Sequence, residues 1–209
     1  DTSIFAKEGF VTVGLSWVLL SIIGGMPFVI DGCIPSPVDA FFETVSGFTT
    51  TGASILTDVE ALGYGMLFWR SFTHWIGGMG VLVFVLAILP QADTRSVKLM
   101  HVMRAEVPGP TVGKLVSKIG RTARIMYGLY ILLTFIEVVL LLVGGMPLFD
   151  SLVNSFGTAG TGGFAIKNVS IAYYDSAYMD YVIGIFMVLF GINFNLYYYI
   201  LLRHFRQAF

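Results

Sequence analysis

Two short runs of threonine and glycine carry the chemistry this chain can offer. The first is Thr49-Thr50-Thr51-Gly52 and the second is Gly157-Thr158-Ala159-Gly160. That chemistry is coordination. A cation moved bare from water into hydrocarbon loses hydration worth on the order of tens of kcal/mol, and something must replace that shell. Main-chain carbonyls do so without a fixed countercharge that would trap the ion. Glycine permits the dihedrals that aim carbonyls at an axis. Threonine adds a hydroxyl oxygen on a stiff, branched side chain. The eight residues of the two runs are the expected ion-binding positions, and Gly162 and Gly163 extend the permissive backbone of the second.

Irregular backbone at membrane depth is tolerated only where it lines a cavity, so the elements around these runs matter. The chain has 209 residues, 56% of them hydrophobic and 12% charged, with mean hydropathy +0.82. Soluble domains carry roughly 25% charge, and a chain this short cannot hide the excess apolar surface in its own core. The composition implies an all-α membrane protein. Four stretches are long enough to cross a hydrocarbon layer: 10–30, 67–89, 125–143 and 181–202. A short amphipathic helix and its Thr/Gly run fall between the first and second, at 37–52, and again between the third and fourth, at 147–160.

The two copies match in sequence. Phe41, Val45, Phe48 and Gly52 pair with Phe149, Val153, Phe156 and Gly160, each 108 positions on. Gly24-Gly25-Met26-Pro27 recurs as Gly144-Gly145-Met146-Pro147 and marks the expected end of each outer helix. The chain thus reads as a tandem of outer helix, pore helix, filter loop and inner helix. Its parts are 1–94, a basic connection at 95–124, and 125–209. Ser36 is an expected N-cap with Pro37 at the first helical position; Pro147 and Asp150 play similar parts in the second copy. Each short helix would point its partly negative C-terminal end at the pore centre.

Charge sets the orientation. Seven of the twelve Lys and Arg lie in the central connection, Arg203 and Arg206 follow the last span, and Lys7 precedes the first. Both termini and the connection are expected on the cytoplasmic side, with both filter loops opening from outside. The basic run is either a topology signal alone or also a docking surface for a cytosolic protein. Acidic residues, Glu43 among them, gather on the expected outer side; they form either a cation-concentrating vestibule or ordinary solvated loops. Net charge is −1, and nothing points to nucleic acid. The single cysteine, Cys33, leaves no disulfide within the chain.

Polar residues inside the spans are functional candidates by default. Glu137 is one; its alternative is a hydrogen bond to Arg70 or Asn193. Arg70 either snorkels to the outer interface or braces the filter from behind. His74 lies one helical turn from Arg70 and reads as a packed histidine, because no second metal ligand has suitable spacing. Asn193 and Asn195 either line a cavity below the filter or join helices. An intramembrane enzyme built on His74, Glu137 and Arg70 lacks a nucleophile and a paired base.

At 41–56, 69–80 (with Trp75-Ile76-Gly77-Gly78-Met79-Gly80), 156–166 and 191–195 the chain resembles the Trk/Ktr/HKT superfamily of potassium transporters, in particular the bacterial, TrkH-like type. The resemblance implies a potassium-channel-like fold of four repeats around one pore, each giving one filter strand. Gly52 and Gly160 match the glycine form associated with potassium permeation. By the same resemblance Thr49, Thr50, Gly157 and Thr158 supply coordinating oxygens, potassium is the substrate, and no cofactor is bound covalently. It also implies a bacterial inner-membrane location in contact with lipid, a homodimer, a cytosolic TrkA-like nucleotide-binding ring as partner, and symport as one mode of transport. The chain holds two repeats where that family has four. It is expected to be a fragment of a longer protein; the alternatives are a pore assembled from two chains and a non-conducting half-transporter or regulatory subunit.

Overall fold

The computed structural model describes residues 6–80 and 119–201. The second half of the expected second span and most of the 95–124 connection lie outside the described residues, as do Arg203 and Arg206. Among the described residues every regular element is helical: α1 (Ala6–Asp31), α2 (Pro37–Phe48), α3 (Tyr64–Gly78), α4 (Ile119–Val143), α5 (Leu148–Ala159), a 3-10 turn (Ser170–Tyr174), α6 (Ala177–Gly191) and α7 (Phe194–Leu201).

The outer helices α1 and α4 are long and apolar enough to cross a membrane. Leu15, Ile23 and Ile30 on α1, with Phe135 and Val143 on α4, are exposed, as lipid-facing residues are. The Gly-Gly-Met-Pro motif does not act alike in the two copies. In the second it is the turn itself: Gly145 takes φ +91 after the last helical turn, and Met146 N–H returns to Leu141 O at 3.1 Å. In the first, α1 runs through Pro27 to Asp31. There the glycines serve packing, since a Cβ on Gly24 would press on Phe48 and Thr44 of α2.

Two expected continuous spans are broken. α3 stops at Gly78, with Met79 as C-cap and Gly80 at φ +75. The stretch 181–202 is two helices, because Ile192 turns extended (ψ 138) between Gly191 and Asn193. Glycine is a poor helix former and asparagine favours a helix start, so the Gly191-Ile192-Asn193 sequence suits an interruption.

The helices interlock across the repeats. α1 packs on α2, α4 on α5 and α6, and α3 on both α2 and α5. Phe156 of α5 meets Phe68, Phe72 and Trp75 of α3 with ring centroids 5.6–5.7 Å apart. Trp75 Nε1–H donates to Thr134 Oγ1 (3.1 Å), and Tyr130 O–H donates to Trp75 O (2.8 Å). The helix α3 is therefore held by α4. Trp69 Nε1–H donates to Gly24 O (2.8 Å), tying the same helix to its own outer helix.

α3 comes close to the main chain of α2 at Gly77, where a Cβ would overlap the Phe48 carbonyl. Main chain cannot step aside as a flexible side chain can. Gly77→Ala should cost about 1–3 kcal/mol and lower the thermal midpoint of detergent-purified protein followed by tryptophan fluorescence. Gly128→Ala, with open space at the same test, should leave that midpoint unchanged or raise it.

Candidate functional site

α2 begins as its sequence predicts, with Asp39 N–H donating to Ser36 Oγ (3.4 Å) and Pro37 in the first turn. It ends at Phe48. Thr49 caps it, its hydroxyl donating to Val45 O (2.7 Å) and meeting Thr51 Oγ1 at 2.8 Å. Thr50 then takes φ +54 and Gly52 φ +77. A branched residue in the left-handed region is strained by about 1–3 kcal/mol and persists only where its surroundings enforce it.

The second copy has the same backbone in a different register. α5 ends at Ala159, Gly160 caps it, Thr161 takes φ +56 and Gly163 takes φ +77. The structural offset is thus 111 residues, not 108: Thr50 corresponds to Thr161 and Gly52 to Gly163. Gly157, Thr158 and Ala159 lie in the last turn of α5, not in the loop, and with Gly160 they are buried. The Thr158 hydroxyl donates to Asn154 O (3.0 Å). Thr49, Thr51, Thr161 and Gly163 are exposed instead.

The two loops meet. A Cβ on Gly52 would overlap the Gly162 carbonyl, and one on Gly162 would lie 2.6 Å from Thr50 O. Both α2 and α5 carry an acid in the first turn and no base in the last, so their C-terminal ends bring unneutralised negative dipole to the same place.

A buried ion pair supports both loops. Arg70 Nε–H donates to Glu43 Oε1 at 2.6 Å, with side-chain exposures of 4% and 0%. Glu43 also accepts the Ser54 hydroxyl (2.9 Å to Oε1) and Ile55 N–H (2.9 Å to Oε2) from the first loop. Arg70 reaches the second loop through NH1–H to Ala165 O (3.0 Å), and its guanidinium lies 3.6 Å over the Phe164 ring. Arg70 therefore does not snorkel to an interface, and its partner is Glu43, not Glu137. Glu43 leaves the group of expected vestibule acids.

At the rim Asn168 clasps the first loop, donating to Asp58 Oδ1 (2.8 Å) and Glu60 Oε1 (3.1 Å) and accepting from Val59 N–H (2.8 Å). In the second repeat Tyr174 O–H donates to Asp150 Oδ2 (2.7 Å) and accepts from Asn154 (3.3 Å). Burial first, and the Asp150 carboxylate second, push the Tyr174 phenol above its usual range, so it stays a donor. Glu137 is buried on α4 beside Thr158, and neither carboxyl oxygen closes a hydrogen bond among the described residues. Asn193 lies exposed in the break between α6 and α7. Among the described residues no group of His, Cys, Asp or Glu could hold a metal ion.

The TrkH family, described as cation transport proteins, matches residues 1–208. The chain belongs to the TrkH family. The Trk system potassium uptake protein TrkH of Salmonella typhimurium is 39% identical over 201 residues, which are 94% of this chain and 40% of that protein. TrkG of Escherichia coli K12 is 36% identical, again over 94% of this chain and 40% of the relative. The crystal structure of the potassium transporter TrkH from Vibrio parahaemolyticus superposes with TM-score 0.76 at 32% identity, covering 95% of this chain and 39% of that one. The chain spans about two fifths of the length of these TrkH-family relatives, and it is an all-helical membrane protein as they are.

Removing one partner of a buried ion pair strands the other charge and costs about 3–5 kcal/mol. Glu43→Gln and Arg70→Gln should each lower the thermal midpoint of the purified protein. The double variant should be less destabilised than the sum of the two singles. A double-mutant cycle by fluorescence-detected size exclusion after heating checks this; strict additivity would mean the pair carries no coupling.

Proposed function

We propose that this chain supplies two of the strands of a potassium-conducting filter in a Trk-type uptake protein. Thr49, Thr50, Thr51 and Gly52 form one strand, and Thr161, Gly162 and Gly163 form the other. One observation carries the reading. Two loops with the same left-handed Thr and Gly backbone stand side by side at the converging ends of two pore helices. Their exposed threonines offer oxygens where a dehydrated cation needs them. The relatives named above are potassium uptake proteins, which supports potassium as the substrate and a transporter over an enzyme.

Two strands do not surround an ion, so the conducting unit includes further strands. On this reading the protein works among lipid in the bacterial inner membrane with 95–124 and both termini on the cytoplasmic side. A homodimer and a TrkA-like cytosolic ring are the partners proposed, the ring meeting the basic connection. Arg70 is a brace behind the filter.

Gly52 decides the test. A side chain there must hold φ +77 and must also push the Gly162 carbonyl away. In liposomes containing the intact transporter, Gly52→Ser should cut the rubidium-to-sodium uptake ratio about tenfold, equivalent to about 1.4 kcal/mol. An unchanged ratio in well-folded protein would remove the filter assignment. Rubidium uptake also separates a conducting protein from a silent half-transporter.

A further inference from the structure

One buried side chain touches both strands and has no role so far. His74 of α3 is fully buried. Its Cδ2 and its own carbonyl would lie 2.8 and 2.9 Å from a Cβ on Gly160. Its Nε2 occupies the place a Cβ on Gly162 would take. The ring therefore lies along the second loop from Gly160 to Gly162. Its Nε2 and the carbonyl oxygen of Thr50, the strained residue of the first loop, both border that Gly162 Cβ position. The Phe164 ring meets it edge-on, with centroids 4.1 Å apart. Neither ring nitrogen closes a hydrogen bond among the described residues. An imidazole is a costly thing to bury as mere filling, because each polar nitrogen loses its water.

We infer that His74 is a positioning residue of the permeation path: its imidazole separates the Thr50 and Gly160–Gly162 backbones and sets where the Thr50 carbonyl points. The inference rests on the filter reading above. Phe164 apart, the contacts of His74 are distinct from those of the Glu43–Arg70 pair, which acts on Phe164, Ser54, Ile55 and Ala165. His74 acts on the loop residues themselves. Two contacts make it specific to this seam. The bare Cα of Gly162 admits the ring, and the bare Cα of Gly160 admits its Cδ2 edge.

The side-chain geometry supplies the test. The amide nitrogen of glutamine reaches as far as His Nε2, whereas that of asparagine falls one methylene short. In the intact transporter in liposomes, His74→Phe and His74→Asn should lower the rubidium-to-sodium uptake ratio by about tenfold, since small misplacements of coordinating groups have large effects. His74→Gln should keep the ratio near that of the unaltered protein. Equal ratios for the Gln and Asn variants would overturn the inference, whether both are high or both are low. If the Phe variant is not recovered from membranes, the Gln and Asn pair still decides. Gly52→Ser run alongside separates the two failures. If it shifts selectivity while the His74 variants do not differ, only the role of His74 falls. If Gly52→Ser shifts nothing, the filter reading falls first.

Discussion

The Glu43–Arg70 pair is the contact on which the arrangement of both loops depends. Each charge removed from water costs several kcal/mol, and attraction offsets this only when the remaining hydrogen-bonding positions are filled. Here they are. Glu43 receives Arg70, Ser54 and Ile55; Arg70 gives to Glu43 and Ala165 and lies on the Phe164 ring. Four pieces of chain therefore meet at one ion pair: α2, α3, the strand leaving the first loop and the strand leaving the second. A hydrophobic pair of the same volume could pack as well, yet it could not hold Ile55 N–H and Ala165 C=O in fixed directions. The direction of main-chain groups is what a coordinating loop requires.

The two repeats reach one backbone shape with different side chains. Glu43 corresponds to Asn154, which donates to Tyr174 and through it is linked to Asp150 instead of an arginine. Ser46 corresponds to Gly157. In the first repeat the Ser46 hydroxyl donates to Ala53 O, which holds the strand back toward its helix. In the second there is no side chain, and the Phe164 carbonyl comes so near that a Cβ would overlap it. The residue after the left-handed glycine is Ala53 in one copy and Phe164 in the other. Phe164 fills the space between Arg70 and His74. The first strand is thus fixed mainly by hydrogen bonds and the second mainly by packing, although the dihedrals of Thr50 and Thr161 agree within 2° (φ 54 and 56).

Much of this was legible in the residues. The apolar helices α1 and α4, the short helices α2 and α5 and the Ser36-Pro37 start follow from composition and capping. The register of the second strand was not. Phe41, Val45 and Phe48 find matches at 108, but all three lie on one apolar face of a helix. A shift of three residues is nearly one turn, so the same face matches almost as well at 111. Only the loop backbone tells the two registers apart. Glu43 was misread for a related reason. A carboxylate on a short helix looks like surface charge until its partner is seen, and that partner is 27 residues away on another helix. The passage of α1 through Pro27 was hidden too, because Gly24 and Gly25 read as a stop when they in fact allow α2 to approach.

The helix α3 packs on α2 and also on α5, the latter through Phe68, Phe72 and Trp75. Among the described residues the main contacts of α2 are with α1 and α3, and those of α6 with α4 and α5. Their uncovered faces are apolar: Val38 and Phe42 on α2 are 76% and 48% exposed, and Tyr181 and Val188 on α6 are 73% and 66% exposed. Lipid can cover such a face. The α3–α5 contact is also what brings the two Thr/Gly loops side by side, and His74 sits on that same helix between them.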